Sequence, residues 1–282
     1  MKKKVKFFAT ATASALPADT EWTEREDAIA EEMPLEIHLQ YGKGDQRRTL
    51  ALAVAMRTPG HDEDLVAGFL LTEGIIATVE SIMQLRFTAE NQLLVSLHPA
   101  VIFEEQRLSR HVFAASSCGI CGKAALEAIH TITCYFAQHG YPTLTPSLLY
   151  ALPEKLRAAQ TQFEATGSVH AAGLFDSAGQ LLLLREDVGR HNAVDKVLGA
   201  ALRSGMEFPL RNSIMMVSGR AAFELVQKTA MAGIPLLAAV GAPTDLAVEM
   251  AESSGMTLVG FLSSARFNVY TDFGRIGGTG MN

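Results

Sequence analysis

Apolar and polar residues alternate along four short segments in the first half of the chain. Segments 35–41 and 50–56 flank a run of turn residues, and segments 85–87 and 93–97 repeat this arrangement. Alternation with a period of two predicts half-buried strands, so each pair of segments is predicted to form a β-hairpin. A helix is predicted to begin at the acidic residues near Asp62, because carboxylates are favoured at the positive end of a helix.

The second half of the chain has a different pattern, in which short, wholly apolar runs alternate with helical periodicity. A hairpin at 169–175 and 181–185 comes first. The apolar runs are 214–217, 234–240 and 258–262, and the helical patterns are 190–203, 223–231 and 246–251. Strands that are buried on both faces read as continuous apolar runs, so a parallel sheet covered by helices on both faces is predicted.

The two patterns predict an α+β N-terminal domain followed by a layered α/β C-terminal domain. Residues 1–30 are assigned to a flexible tail, 31–140 to the first domain, and 141–282 to the second domain. A proline-containing connection with one helix at 152–163 opens the second domain. The basic N-terminus leaves a signal peptide open as an alternative, but its apolar stretch is short, and a cytoplasmic tail is preferred.

Composition narrows the functional classes. A chain of 282 residues with 48% hydrophobic and 19% charged residues can bury a large core. Its net charge of −6 makes non-specific binding to nucleic acid an unfavoured function. No apolar run is long enough for a membrane span. Three cysteines are too few for a secreted disulfide framework, which points to the reducing cytoplasm.

Cys118 and Cys121 form a CxxC motif between glycines, just before a helical pattern. The positive end of that helix and the charge of Lys123 favour the thiolate, which is the form that attacks sulfur. A closed zinc site is an alternative that needs four ligands. Cys134 would lie roughly 20 Å away along a continuous helix, too far to share a metal. A thioredoxin-like redox pair is a second alternative, and sulfur handling is preferred to both.

Three predicted strand ends carry residues suited to anion binding. They are Ser218-Gly219-Arg220, Gly241-Ala242-Pro243-Thr244 and Ser263-Ser264-Ala265-Arg266. In a parallel sheet, ligands bind outside the carboxyl ends of the strands. A hydroxyl, a glycine and an arginine before a helix can hold phosphate, so a dinucleotide or another multiply charged ligand is predicted there. The alternative is that the hydroxyls are ordinary helix caps and the arginines are solvated.

His191 is the centre of a second polar cluster, with Asp187 and Asp195 four residues away on either side. One interpretation is a general acid or base that a carboxylate orients. The other is a charge-paired helix start whose histidine bonds across the domain. His170, within a strand of small residues, is interpreted as a core or pocket histidine.

Several segments together resemble the FdhD family, the formate dehydrogenase accessory sulfurtransferases. They are EEMPLEIHL, DLVAGFLLTEGII, SSCGICGK, GSVHAAGLF, EDVGRHNAVDKVLG, TLVGFLSSARFNVYT and the long stretch from SGRAAFELVQ to LAVEMAE. The resemblance covers nearly the whole chain after the tail. It implies a second domain similar to the cytidine deaminase fold and a homodimeric protein. The second half contains no cysteine, so it cannot supply the zinc ligands that deamination requires.

The resemblance also implies the reaction. Cys118 would accept persulfide sulfur from a cysteine desulfurase, with Cys121 supporting its transfer. The acceptor would be the molybdenum cofactor in its bis(molybdopterin guanine dinucleotide) form, which then enters formate dehydrogenase. GDP would serve as an analogue of this cofactor. The cofactor segment that the resemblance implies is Phe261-Leu262-Ser263-Ser264-Ala265-Arg266. The residue patterns described above add Ser218, Gly219, Arg220 and His191 to the predicted cofactor-binding residues.

This chain carries Ser264-Ala265 where some members of the family carry Pro-Gly.

Two other functional classes remain open. A thiol–disulfide oxidoreductase would use the same two cysteines without a nucleotide. A non-catalytic cofactor-binding chaperone would need neither thiol.

Overall fold

The computed structural model describes residues 1–7, 23–104 and 135–277. These residues have a mixed α/β structure with three β-sheets. Cys118, Cys121 and Cys134 lie outside the described residues, as does the helix predicted to follow the CxxC motif.

Part of the predicted tail is paired as a two-stranded antiparallel ribbon. Strand β1 (Lys2–Phe7) pairs with β2 (Thr23–Ala28). Opposite charges face each other across this ribbon, including Lys4 opposite Glu26, and such pairs stabilise antiparallel strands. None of the described side chains, at Lys2–Val5 and Thr23–Ala28, is buried, and the segments lack the apolar alternation of a half-buried strand, which is why the sequence pattern predicted a tail here.

The first half of the chain forms a four-stranded sheet. Its strands are β3 (Met33–Tyr41), β4 (Arg48–Arg57), β5 (Ile82–Ala89) and β6 (Gln92–Leu97), in the order β4-β3-β6-β5. The two predicted hairpins are confirmed as the antiparallel pairs β3–β4 and β5–β6, and β3 and β6 join them in parallel. Helix α1 (Asp62–Thr72) lies between the hairpins in sequence.

The second half forms a six-stranded sheet. Its strands are β7 (His170–Asp176), β8 (Leu181–Asp187), β9 (Ser213–Val217), β10 (Leu236–Ala239), β11 (Thr257–Gly260) and β12 (Asn268–Thr271). The order is β12-β11-β10-β9-β7-β8. Strands β9, β10 and β11 are parallel as predicted, whereas β7, β8 and β12 run antiparallel to their neighbours. The sheet is therefore mixed.

Five further helices lie within the second half of the chain as far as the structure describes it. They are α2 (Pro146–Ala159), α3 (Thr161–Thr166), α4 (Arg190–Arg203), α5 (Phe223–Met231) and α6 (Asp245–Ser253). Helices α4, α5 and α6 confirm the predicted ones, while the single helix predicted at 152–163 is two helices that meet at Gln160. No helix within the described ranges is long and apolar enough to cross a membrane.

The larger hydrophobic core joins the two main sheets. It contains Leu35 and Val95 from the first sheet together with Val194 from α4 and Leu237 from the second sheet. A smaller core lies on the opposite face of the six-stranded sheet, where α2 packs. Both faces of that sheet are thus covered, as its apolar strands predicted. The similarity to the cytidine deaminase fold stays a prediction.

Helices α1 and α4 cross with their backbones in contact at two glycines. A Cβ placed on Gly199 would lie 1.8 Å from the carbonyl oxygen of Asp64, and one placed on Gly68 would lie 1.8 Å from that of Asp195. The middle of α4, from Asp195 to Gly199, is therefore held against a helix of the first half of the chain.

Candidate functional site

The three predicted strand-end junctions lie side by side along one edge of the six-stranded sheet. We call this edge the rim and define it as residues 218–221, 240–244 and 261–268. The Gly241 amide donates to the Gly219 carbonyl at 2.9 Å, and the Phe261 amide donates to the Gly241 carbonyl at 3.1 Å. Backbone bonds thus join each junction to the next, because β9, β10 and β11 are parallel and end at the same level.

Two glycines make this close packing of the loops possible. A Cβ on Gly241 would lie 2.9 Å from Cα of Arg220. A Cβ on Gly260 would lie 2.8 Å from Cδ of Pro243 and 2.9 Å from Cε2 of Tyr270. Any side chain at either glycine would push neighbouring loops apart.

The serine hydroxyls of the rim are engaged in its construction. Ser218 Oγ accepts a hydrogen bond from the Ala171 amide at 2.9 Å. Ser263 Oγ accepts from the amides of Ala265 and Arg266 at 3.3 and 3.1 Å, which closes a turn whose central residues are Ser264 and Ala265. Ser264 and Ala265, which replace the Pro-Gly of some family members, therefore lie inside this turn. The position of Arg266 is fixed by the hydrogen bond from its amide to Ser263.

Neither Ser218 nor Thr244 makes a side-chain capping bond to the helix that follows it. The N-cap of α5 is Ala222, so Ser218 lies outside that helix, and Thr244 occupies the N-cap of α6 without a side-chain capping bond. The first turns of α5 and α6 instead carry Glu224 and Asp245. These carboxylates offset the positive helix ends, so a phosphate ligand depends on arginines more than on helix dipoles.

Arg220 and Arg266 are the exposed cations of the rim. Phe261 is exposed as well, whereas Leu262 is only 1% exposed and packs into the smaller core. A ligand on this segment can therefore contact the side chains of Phe261 and Arg266 but only the backbone of Leu262.

His191 does have a carboxylate neighbour, but it is a different one from those that the spacing suggested. Its Nε2 lies 3.7 Å from Oε2 of Glu224, which is too long for a hydrogen bond and is an ion pair when the imidazole is protonated. The contact with His191 lowers the pKa of Glu224 to about 2, against the opposing effect of partial burial. The prediction that Asp187 or Asp195 orients His191 is wrong.

Those two aspartates form buried ion pairs elsewhere. Asp187 Oδ2 lies 2.7 Å from Nζ of Lys196, and Asp195 Oδ2 lies 2.9 Å from Nζ of Lys228. Thr72 donates to Asp195 at 2.9 Å. The four-residue spacing misled because Asp187 ends strand β8 and is not part of helix α4.

The loop after β4 holds the start of α4 through Thr58. The Thr58 amide donates to Asp187 at 3.1 Å, its carbonyl accepts from Lys196 at 2.8 Å, and its hydroxyl accepts from the Val188 amide at 3.0 Å. The first half of the chain thereby fixes the segment that carries Arg190 and His191. No short-range sequence pattern indicates this contact.

His170 lies half-buried beside the rim. Its Nδ1 would be 3.3 Å from a Cβ placed on Gly219, so the imidazole faces the first junction. Burial lowers the pKa of His170, and the charges of Arg190 and His191 lower it further. The interpretation as a pocket histidine is compatible with this position, which depends on the pairing of β7 with β9.

The chain was compared with known proteins. The FdhD/NarQ family model matches residues 30–277. The proteins named sulfur carrier protein FdhD from Streptomyces avermitilis and Mycobacterium tuberculosis are 47% and 44% identical to it. Each alignment covers 89% of this chain, and it covers 90% and 92% of the respective relative. The protein of the same name from Sulfurisphaera tokodaii is 41% identical, over 89% of this chain and 92% of its own length.

A crystal structure from Desulfotalea psychrophila, reported as that of a candidate formate dehydrogenase accessory protein, is similar over the whole fold. The TM-score is 0.71 at 25% sequence identity, and the alignment covers 98% of this chain and 99% of the other. The resemblance noted in the sequence motifs is therefore confirmed at the level of both sequence and structure. This chain belongs to the FdhD/NarQ family.

Proposed function

We propose that this protein is a sulfur carrier that serves formate dehydrogenase. It takes persulfide sulfur from a cysteine desulfurase and transfers it to the molybdenum cofactor in its bis(molybdopterin guanine dinucleotide) form. The observation that carries the proposal is the family match over residues 30–277, which spans Cys118 and Cys121. Relatives that are 41–47% identical over about nine tenths of the chain bear the name sulfur carrier protein.

The chemistry of two neighbouring thiols accounts for both loading and release. The Cys118 thiolate attacks the outer sulfur of the desulfurase persulfide, forms a new S–S bond and releases the desulfurase thiolate. The Cys121 thiolate then attacks Cys118 Sγ, which forms a Cys118–Cys121 disulfide and expels the outer sulfur as hydrosulfide. The two thiols supply the two electrons that reduce the sulfur, and a dithiol reductant regenerates them.

The rim is the proposed binding site of the molybdenum cofactor, which is the acceptor substrate of the sulfur transfer. Two exposed arginines, Arg220 and Arg266, offer hydrogen-bond donors to its guanine dinucleotide part. Three adjoining loops, which backbone hydrogen bonds join to one another, form the rest of the surface. We expect the protein to act as a cytoplasmic homodimer with GDP as a simple analogue of its ligand.

Transfer of radiolabelled sulfur tests the role of Cys118. The protein is incubated with a cysteine desulfurase and ³⁵S-cysteine and then separated without reductant. We expect label on the wild-type chain and its loss in Cys118→Ala, whereas Cys134→Ala should load as the wild type does. Equal labelling of Cys118→Ala would refute the assignment.

Two further assays separate the other functional classes. A thiol–disulfide oxidoreductase would reduce insulin, and it would gain no thermal stability from GDP. A non-catalytic chaperone would restore formate dehydrogenase activity in a deficient strain even as the Cys118→Ala/Cys121→Ala double variant. The sulfur-carrier proposal requires that this variant fail.

A further inference from the structure

The rim changes in chemical character from one end to the other. At the end formed by β7 and β9 lie Arg190, His191 and Arg220, with one carboxylate, Glu224, against His191. His170, whose pKa is lowered, lies beside them. At the other end, two large apolar side chains of the rim face solvent, Val240 (43% exposed) and Phe261 (41%), and Tyr270 of β12, just outside the rim, is 36% exposed. Exposed aromatic rings beside a polar strip are typical of ligand-binding surfaces.

The ring of Tyr270 is held against the backbone of β11. Its Cε2 would lie 2.9 Å from a Cβ on Gly260, and its hydroxyl accepts from Nδ2 of Asn268 at 3.5 Å. Pro243 lies against Gly260 as well, with Cδ 2.8 Å from the same Cβ position. Glycine at 260 therefore lets an aromatic ring and a proline ring both pack against the strand end, where the tyrosine ring keeps part of its surface exposed.

Phe261 is exposed at the cost of backbone strain. Its φ of 51° lies in the left-handed region, which a residue with a large side chain adopts rarely. The amides of Phe261 and Leu262 donate to the carbonyls of Gly241 and Ala239 at 3.1 and 3.0 Å, and these bonds hold the conformation. Strained residues that the surrounding structure enforces are concentrated at functional sites.

From this polarity we infer that the nucleotide lies along the rim in one direction, with its purine against Phe261 and Tyr270 and its phosphates toward Arg220 and the start of α4. The inference rests on the proposed function, because it orients the ligand proposed there. Strand ends β9 and β11 are two strand intervals apart, each about 4.8 Å, so the two groups of side chains can contact one extended ligand.

Arg266 lies at the aromatic end of the rim and adds selectivity to this orientation. An arginine can donate two hydrogen bonds to O6 and N7 of guanine, whereas adenine presents a donor in place of O6. Arg266 at this end therefore favours guanine over adenine, while Arg220 at the basic end is left to the phosphates.

Calorimetric titration of the full-length protein with GDP, guanosine and inorganic pyrophosphate tests the orientation. Tyr270→Ala should weaken GDP and guanosine by roughly 5- to 150-fold, which is the range expected for loss of one stacking contact. The same variant should bind pyrophosphate as the wild type does. Tyr270→Phe keeps the ring and is the matched control, with affinities near those of the wild type.

Variants at Arg220 and Arg266 should lose affinity for the parts of the ligand that Tyr270 does not contact. Arg220→Ala should weaken GDP and pyrophosphate but leave guanosine unchanged, and Arg266→Ala should bring the affinities for GDP and ADP together. Phe261→Ala provides a second aromatic variant if Tyr270→Ala does not fold.

The outcomes separate this inference from the function on which it rests. If the aromatic variants bind GDP as the wild type does, or lose pyrophosphate equally, the orientation is refuted while the proposed nucleotide site stands. If the wild-type protein binds no GDP, the nucleotide site itself is refuted, and the orientation with it. Sulfur loading on Cys118 is measured separately and depends on neither result.

Discussion

The crossing of α1 and α4 predicts that a single methyl group at Gly199 will destabilise the whole protein. In Gly199→Ala the new Cβ would lie 1.8 Å from the Asp64 carbonyl oxygen and 2.6 Å from the Gly68 amide nitrogen. Both atoms belong to the backbone of α1, so no side chain can rotate away. The two helices must separate, or one of them must distort.

The magnitude follows from the size of this overlap. An ordinary carbon–oxygen contact is about 3.3 Å, so the helices must move apart by roughly 1.5 Å at the crossing. Overpacking of a core costs about 1–3 kcal/mol and occasionally more. Alanine regains up to about 1 kcal/mol through its higher helix propensity. Because both clashing atoms are backbone atoms within the larger core that joins both sheets, we expect a gross cost above that usual range, about 3–4 kcal/mol, and a net loss of about 2–3 kcal/mol.

Chemical denaturation by urea, followed by circular dichroism, measures the change in the free energy of unfolding. Gly277→Ala is the matched control, since a Cβ there would meet only Cγ2 of Thr143 at 3.6 Å, an ordinary contact. That variant should differ from the wild type by less than about 0.5 kcal/mol. If Gly199→Ala were as stable as Gly277→Ala, the helices would not cross as described, and the close contact between the two halves would be refuted.

Three further predictions concern titrating and buried charges. Because the pKa of Glu224 is about 2 in the folded protein and ordinarily 4.5, its contribution to stability is present above pH 4.5 and is lost as the pH falls toward 2. Thermal unfolding across this range should show the gap between wild type and Glu224→Gln closing; a constant gap would contradict the contact with His191. The pKa of His170 is lowered in the folded protein, so its neutral form favours folding above pH 6.5 and this contribution is lost as the pH falls below 6.5. In the same thermal scans, His170→Gln should therefore reduce the fall in unfolding temperature below pH 6.5. Lys228→Met leaves the Asp195 carboxylate buried without its ion partner and should cost about 3–5 kcal/mol in urea unfolding, while adding Asp195→Leu should restore much of the loss; no recovery in the double variant would argue against the pair.

The short-range periodicity of apolar residues was sufficient to predict the helices that bury one apolar stripe and the strands that bury one face. Helix α4 was predicted at 190–203 and α5 at 223–231, and both have these bounds in the structure. Strand β12 and the β1–β2 ribbon were missed because most of their side chains are exposed and carry no apolar alternation. Pairing of such strands depends on backbone bonds to a partner that local sequence does not identify.

The candidate site shows the same division between local and tertiary information. Parallel apolar strands predicted that the junctions at Ser218, Gly241 and Ser263 would lie along one edge, and they do. The roles of the polar side chains were less predictable. Ser218 and Ser263 bond within the rim, and Asp187 pairs with Lys196.

The sequence by itself determined most of the strands and helices, the family, and the two thiols on which the proposed sulfur transfer depends, because these reside in residue types and spacings along the chain. The tertiary structure alone decided that Thr58 holds the start of α4, that Glu224 is the carboxylate beside His191, and that Tyr270 lies on Gly260. The physical reason is that side-chain partners far apart in sequence are selected by packing and backbone registration. Periodicity within one element contains no information about the element that it meets.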